Sequence, residues 1–140
     1  MRTLTLIILL QISLLASSIE WSLSFGPAYM KARVESKPLL VYITQPGCGT
    51  CKYMEENVFT EKTVRGYLSA NYVGVKLYLG DEGLPKHLKP FASPTFYILN
   101  HDQSEVTDAV IGGKNADAFL EFLEEGVDYY KIKNISKEEK

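Results

Sequence analysis

The stretch that decides the fold runs Lys37-Pro38-Leu39-Leu40-Val41-Tyr42-Ile43-Thr44-Gln45-Pro46-Gly47-Cys48-Gly49-Thr50-Cys51-Lys52. Leu39 to Ile43 is an unbroken apolar run, partly β-branched and bounded by turn residues, which predicts a central strand covered on both faces. Gln45-Pro46-Gly47 supplies the loop that follows. A helix is expected from about Gly49 to Val58, with Met54 and Val58 on one side and Lys52, Glu55 and Glu56 charged. Cys48 and Cys51, the only cysteines in the chain, therefore open a helix directly after a buried strand.

That placement points to thiol–disulfide chemistry. Residues three apart share a helix face within bridging distance, so the pair closes with little backbone movement. Unsatisfied N–H groups and the positive end of the helix dipole stabilise a thiolate at Cys48, and the thiolate is the nucleophile of disulfide exchange. Cys51, one turn further in, is placed to resolve the mixed disulfide. The alternative is a structural bridge, the common fate of paired cysteines in an oxidising compartment. A bridge across two intervening residues constrains the unfolded chain little, which makes it a poor staple. Haem attachment needs a histidine after the second cysteine, where Lys52 stands, and His87 and His101 lack the usual zinc-finger spacing. No metal and no cofactor are expected.

The chain has 140 residues, 46% hydrophobic and 23% charged, which suits one domain with a real core. Met1 to Ser18 has the form of a secretory signal: Arg2, an apolar stretch from Leu4 to Leu15, then small residues Ala16-Ser17-Ser18, with cleavage expected after Ser18. Gln11 and Ser13 interrupt the apolar stretch, which falls short of the about 20 residues of a spanning helix. An uncleaved N-terminal membrane anchor is the alternative. Removing the signal takes Arg2 away and leaves 14 of the 15 basic residues against 17 acidic ones, a net of −3. No basic stripe is present to neutralise phosphates, which argues against nucleic acid as a partner.

The division expected is therefore a signal over 1–18, a domain over 19–126 and a polar tail over 127–140. Within the domain, Ser24 to Glu35 has helical character that Lys37-Pro38 stops, and Thr60 is placed to cap a short helix carrying Val64, Tyr67 and Leu68. Asn71 to Leu79 is expected as a second strand and Leu84 to Phe91 as a short helix. Thr95–Leu99 and Glu105–Ile111 suggest an antiparallel hairpin, which Gly112-Gly113 ends. Phe119, Leu120, Phe122 and Leu123 mark a last helix over Asn115–Glu125, with Gly126 as its stop and a mobile tail beyond.

Taken together, this order of elements resembles the thioredoxin superfamily over roughly residues 21–126. The features that carry the resemblance are Lys37-Pro38-Leu39-Leu40-Val41, Cys48-Gly49-Thr50-Cys51-Lys52, Ser93-Pro94-Thr95-Phe96 and Gly112-Gly113. Cys51 to Glu61 is most similar to exported members, among them the C-terminal domain of the periplasmic membrane disulfide reductase. The resemblance implies an α/β three-layer sandwich, a thioredoxin-like mixed central sheet flanked by helices. It implies a monomeric thiol–disulfide oxidoreductase, periplasmic or otherwise exported, that acts on protein disulfides and draws electrons from a membrane disulfide reductase. Cys48 and Cys51 would be catalytic. Gly47, Ser93, Pro94 and Thr95 would bind substrate, with Pro94 cis and facing the cysteines, and with the Ser93 backbone pairing with an extended client. An ordinary trans proline at a strand start is the alternative.

Two departures from the family pattern matter. Many thioredoxins carry a buried acid six residues before the first cysteine, where this chain has Tyr42. Glu55, four residues after Cys51, is the candidate replacement and third catalytic residue, because helical side chains lean back toward the N-terminus. Its alternative is a solvated acid paired with a lysine. Pro46-Gly47 also stands where many thioredoxins place a tryptophan. Gly49-Thr50 adds no cation between the cysteines and Glu55 opposes a nearby thiolate, so a reductase is favoured over an oxidase or isomerase. The rival from another class is a thioredoxin-fold binding module with an inactive disulfide.

Overall fold

Every residue from Leu39 to Thr44 is buried, and alternate side chains serve opposite faces of one sheet. Leu40 and Tyr42 enter one core cluster, while Leu39, Val41 and Ile43 enter the other. This is the doubly covered central strand that the apolar run predicts. The computed structural model describes residues 18–138, so the expected signal and anchor lie outside the described residues except for Ser18.

In chain order the elements are β1 (Trp21–Ser22), α1 (Phe25–Val34), β2 (Leu39–Thr44), α2 (Gly49–Tyr53), a π-helical turn (Met54–Val58), α3 (Lys62–Asn71), β3 (Val73–Tyr78), β4 (Thr95–Leu99), β5 (Val110–Ile111) and α4 (Ala116–Glu138). The sheet order is β1-β3-β2-β4-β5. β3 runs parallel to both β1 and β2, whereas β4 is antiparallel to β2 and to β5. The result is a mixed five-stranded sheet with α1 on one face and the other helices on the opposite face, a thioredoxin-like α/β sandwich.

Beneath the dithiol helix the core is aromatic. Tyr42 stacks on Phe96 at 5.1 Å, and Phe59 meets Tyr42 edge-on at 5.2 Å. Phe119 of α4 and Trp21 of β1 close the group. The π-helical turn serves this packing: Phe59 N–H donates to the Met54 carbonyl at 2.9 Å, which widens the helix so that Met54, Val58 and Phe59 all face inward.

Several expectations need correction. Gly126 does not stop the last helix. α4 continues to Glu138, burying Val127 and Tyr130, and Tyr130, Lys133 and Asn134 bond to the loop around His101 and Glu105. Residues 127–138 are thus a docked helical extension, not a mobile polar tail. Leu84 to Phe91 forms turns without a helix, since Pro85 and Pro90 each lack an N–H; Leu88 still reaches the core. The second arm of the hairpin shrinks to β5 plus a bridge between Leu99 and Glu105, because Val106 turns into the core and the chain leaves the ladder until Val110. Thr60 caps nothing: its hydroxyl donates back to the Glu56 carbonyl at 2.8 Å, and α3 starts after Glu61.

Candidate active site

The loop from β2 into α2 is a turn whose residues follow from its dihedrals. Cys48 N–H donates to the Gln45 carbonyl at 3.4 Å across Pro46 and Gly47, and Gly47 has φ +75°. Proline followed by a left-handed glycine is the requirement of a type II turn. The turn delivers Cys48 to the N-cap position of α2, where its Sγ accepts the Cys51 N–H at 3.1 Å. Cys48 and Cys51 are disulfide-bonded with Cα atoms 5.2 Å apart.

The two sulfurs are not equivalent. Cys51 is 3% exposed and belongs to the aromatic core cluster, whereas Cys48 is half-buried at the rim. Opposite Cys48 stands the loop before β4. Ser93–Pro94 is a cis peptide, and the Ser93 carbonyl oxygen lies 3.7 Å from Cys48 Sγ. Pro94 uses its own carbonyl to accept from Gly112 N–H at 2.8 Å, and the Thr95 hydroxyl donates to the Ala92 carbonyl. The sequence-predicted Cys48, Ser93 and Pro94 are thereby brought together, with Cys51 behind Cys48, Gly47 on the lip of the cleft that the two cysteines line, and Thr95 buried as the first residue of β4.

Glu55 lines that cleft too, and its carboxylate is held by two donors. Lys76 Nζ lies 2.5 Å from its Oε1, and the Tyr42 hydroxyl donates to the same oxygen at 3.3 Å. Both readings offered for Glu55 contain part of the arrangement: it is paired with a lysine, but from β3 and beside the dithiol. Tyr42 is fully buried. Burial pushes its phenol up to about 12, the Thr44 hydrogen bond opposing and the Glu55 carboxylate adding to the effect.

Sequence reasoning missed Lys76, although a signal existed. Val73, Val75 and Leu77 take one face of β3, so Lys76 falls on the core-facing alternate positions, where a charge requires a partner. It also missed the support behind the helix: Gly113 passes against Thr50 and Met54, and Lys114 N–H points at Met54 Sδ at 3.4 Å. Tyr78, Phe91 and Ile111 are exposed apolar side chains at the ends of segments that lead into or away from the site. Among the described residues no group of acids, cysteines and histidines is disposed to hold a metal ion.

A helix-opening dithiol, one sulfur accessible and one buried, set against a cis-proline loop on an α/β sandwich, defines a thiol–disulfide oxidoreductase. The sequence model for a thioredoxin-like domain matches residues 25–126, and the chain belongs to that family. A candidate disulphide-isomerase from Bacteroides thetaiotaomicron is similar at 31% identity and TM-score 0.67, covering 79% of this chain and 93% of that one. A thioredoxin from Thermus thermophilus shares the fold at TM-score 0.68 and 23% identity, over 78% of this chain and 87% of that one. The reduced DsbD C-terminal domain of Neisseria meningitidis does so at TM-score 0.57 and 20% identity, over 71% and 91%. No curated protein sequence matches the chain.

Proposed function

We propose that this oxidoreductase is an exported reductase of protein disulfides. The observation that carries the reading is the asymmetry of the sulfurs: Cys48 faces the cis-proline loop at Ser93 while Cys51 waits in the core behind it. In the first step the Cys48 thiolate attacks one client sulfur, forming a mixed disulfide and releasing the other client sulfur as thiolate. Cys51 thiolate then attacks Cys48 Sγ, the mixed disulfide breaks, and the second client thiolate leaves. The client gains two electrons and the Cys48–Cys51 pair loses them.

Gly47, Ser93 and Pro94 form the client-binding rim, Thr95 supports it from behind through its bond to Ala92, and Glu55 accepts the Cys51 proton. The direction rests on the absence of a cation between the cysteines, since Lys52 pairs with Glu56 at 3.8 Å and Lys76 is committed to Glu55. Little charge is therefore left to stabilise a reduced Cys48 thiolate strongly, which is what makes a dithiol oxidising. The expected upstream donor is a membrane disulfide reductase, and the expected state is a monomer. The apolar N-terminus supports export. Among the described residues no helix is long and apolar enough to cross a membrane.

Equilibration with glutathione tests the direction. A potential toward about −270 mV is expected, and a value near −120 mV overturns the reductase assignment. Cys51→Ser should trap mixed disulfides with exported proteins through Cys48, and Cys48 should alkylate with iodoacetamide well below the free-thiol value of about 8.5.

A further inference from the structure

A groove of about 820 Å³ runs between α4 and the segment 105–110, against about 380 Å³ for the dithiol cleft. Val106 and Phe122, both buried, and Val110 give it an apolar floor. Tyr129 and Lys133 complete its far end, so it reaches full length only because α4 continues past Gly126. There Lys133 Nζ donates to the Glu105 carbonyl at 2.8 Å and ties the two walls together. The near end is at Lys114, whose neighbour Gly113 packs on Thr50 between the cysteines. The groove therefore opens beside the dithiol helix. From Ala118 to Lys133 the helical wall is about 22 Å long at about 1.5 Å per residue, which matches about six or seven residues of extended chain. β5 ends the sheet, so one edge of Val110–Ile111 has no strand partner and offers backbone groups to such a chain.

The charge of the groove says what fits it. Glu105, Asp108, Glu121 and Glu125 line it against Lys114 and Lys133, and among the described residues none of the four carboxylates has an ion-pair partner. Between Ala116 and Tyr130 α4 carries five acids and no lysine or arginine. Asp117, Glu121 and Glu125 follow one another at four-residue intervals, as do Glu124 and Asp128, which sets like charges side by side on the helix. The helix dipole favours an acid in the first turn, which accounts for Asp117 and not for the others. The fold thus holds a repulsion that cations from outside would relieve.

We propose, on the reading that Cys48 exchanges with a protein disulfide, that this groove docks a basic, extended segment of the client next to its cysteine. Lysines or arginines of the segment meet the four carboxylates, and its alternate side chains lie on Val106, Val110 and Phe122. The client cysteine reaches Cys48 across Gly113 and Thr50. The substrate class is then proteins whose cysteine is flanked by a lysine- or arginine-rich stretch.

The experiment separates docking from turnover. Labelled, cysteine-free peptides of about twelve residues, alternating alanine with lysine or with glutamate, are titrated with the oxidised protein and followed by fluorescence anisotropy. The lysine peptide should bind at least tenfold tighter at low salt, and high salt should remove most of the difference. The same peptides with a cysteine added at either end, capped as a disulfide with 2-mercaptoethanol, serve as substrates, and kcat/KM should favour the lysine peptide at least fivefold. Glu121→Lys with Glu125→Lys, both exposed positions, should reduce both preferences below twofold while turnover of 2-hydroxyethyl disulfide stays within twofold. Glu121→Gln with Glu125→Gln replaces that pair if melts show it unfolded. Glu20→Lys with Glu61→Lys makes the same change in net charge at exposed positions outside the groove and should leave the preferences intact. Equal binding of the two peptides, a preference that survives the changes in the groove, or an equal loss in the Glu20 and Glu61 variant overturns the docking groove. A wild-type protein that turns over neither the capped peptides nor 2-hydroxyethyl disulfide overturns the redox reading instead, and the anisotropy still decides the groove.

Discussion

Tyr42 and Lys76 are register partners across the β2–β3 ladder, and both donate to the same oxygen of Glu55. One parallel strand pair thus sets the position of a carboxylate that belongs to a helix. The ion pair is partly exposed, with the lysine and glutamate side chains 26% and 38% accessible, so solvent screens much of it. Lys76→Met should therefore cost only about 0.5–1 kcal/mol of stability by urea denaturation, with the loss shrinking at high salt. In a Glu55→Gln background the same substitution should cost close to nothing. Equal losses in both backgrounds would mean that Lys76 stabilises through its alkyl stem and not through the pair.

The buried phenol of Tyr42 makes a separate alkaline signature. Its ionisation is raised in the folded protein from about 10 to about 12, so the stabilisation is complete below pH 10. Above that the unfolded phenol ionises while the folded one resists, and the contribution, of order 2 kcal/mol, is lost as pH rises through the folded value. Tyr42→Phe keeps the ring contacts with Phe96 and Phe59 and removes this term. Urea midpoints measured from pH 9 to 11 should fall more steeply for the wild type than for Tyr42→Phe. Parallel curves would place the alkaline loss elsewhere, with Tyr72, also raised by burial, as the next suspect.

Two helical glycines should answer the same substitution with opposite signs. A Cβ on Gly126 would collide with Ile98 Cδ1 and with the Tyr72 hydroxyl, which itself donates to the Leu123 carbonyl at 2.6 Å. Gly126→Ala should lower stability by about 1–3 kcal/mol although alanine favours a helix. Gly66 of α3 has nothing within 4 Å of its Cβ position, so Gly66→Ala should raise stability by about 1 kcal/mol. Thermal and urea unfolding of the two variants decide it; a stabilised Gly126→Ala would show that α4 yields easily at that contact.

The same glycine explains where the sequence was legible and where it was not. Local signals sufficed for β2 and for the loop before the cysteines, because an apolar run and a Pro-Gly pair each express their own backbone requirement; the cis peptide at Pro94 was legible only through the resemblance to the family. Gly126 carries the signature of a helix stop, but its cause is a close approach by β4 and Tyr72, which no local pattern records. Beyond it, the buried Val127 and Tyr130 are too sparse among polar neighbours to announce a docked helix. β1 has two residues and no period to read. A second cleft beside Glu55 joins Ile19, Trp21, Phe59 and Arg65 from separate elements, so it exists only once the chain has folded. Glu55 was visible from helical spacing; Lys76 needed the β2–β3 register as well.

Gly113 ties the end of the sheet to the dithiol helix and offers the most local test of the site's packing. A Cβ at this position would stand 2.7 Å from Thr50 Cγ2, between the two cysteines, and 3.7 Å from Met54 Sδ. Gly113→Ala must therefore move Thr50, the helix turn that carries it, or the loop into α4. The expected cost is about 1 kcal/mol in urea denaturation. Thr50→Ser deletes the obstructing methyl, so the double variant should recover most of what Gly113→Ala loses beyond the cost of Thr50→Ser alone. The coupling expected for residues in direct contact is at least about 0.5 kcal/mol. Additive losses would show that the helix turn, and not the threonine methyl, absorbs the contact, and the equilibrium with glutathione should then shift in Gly113→Ala as well.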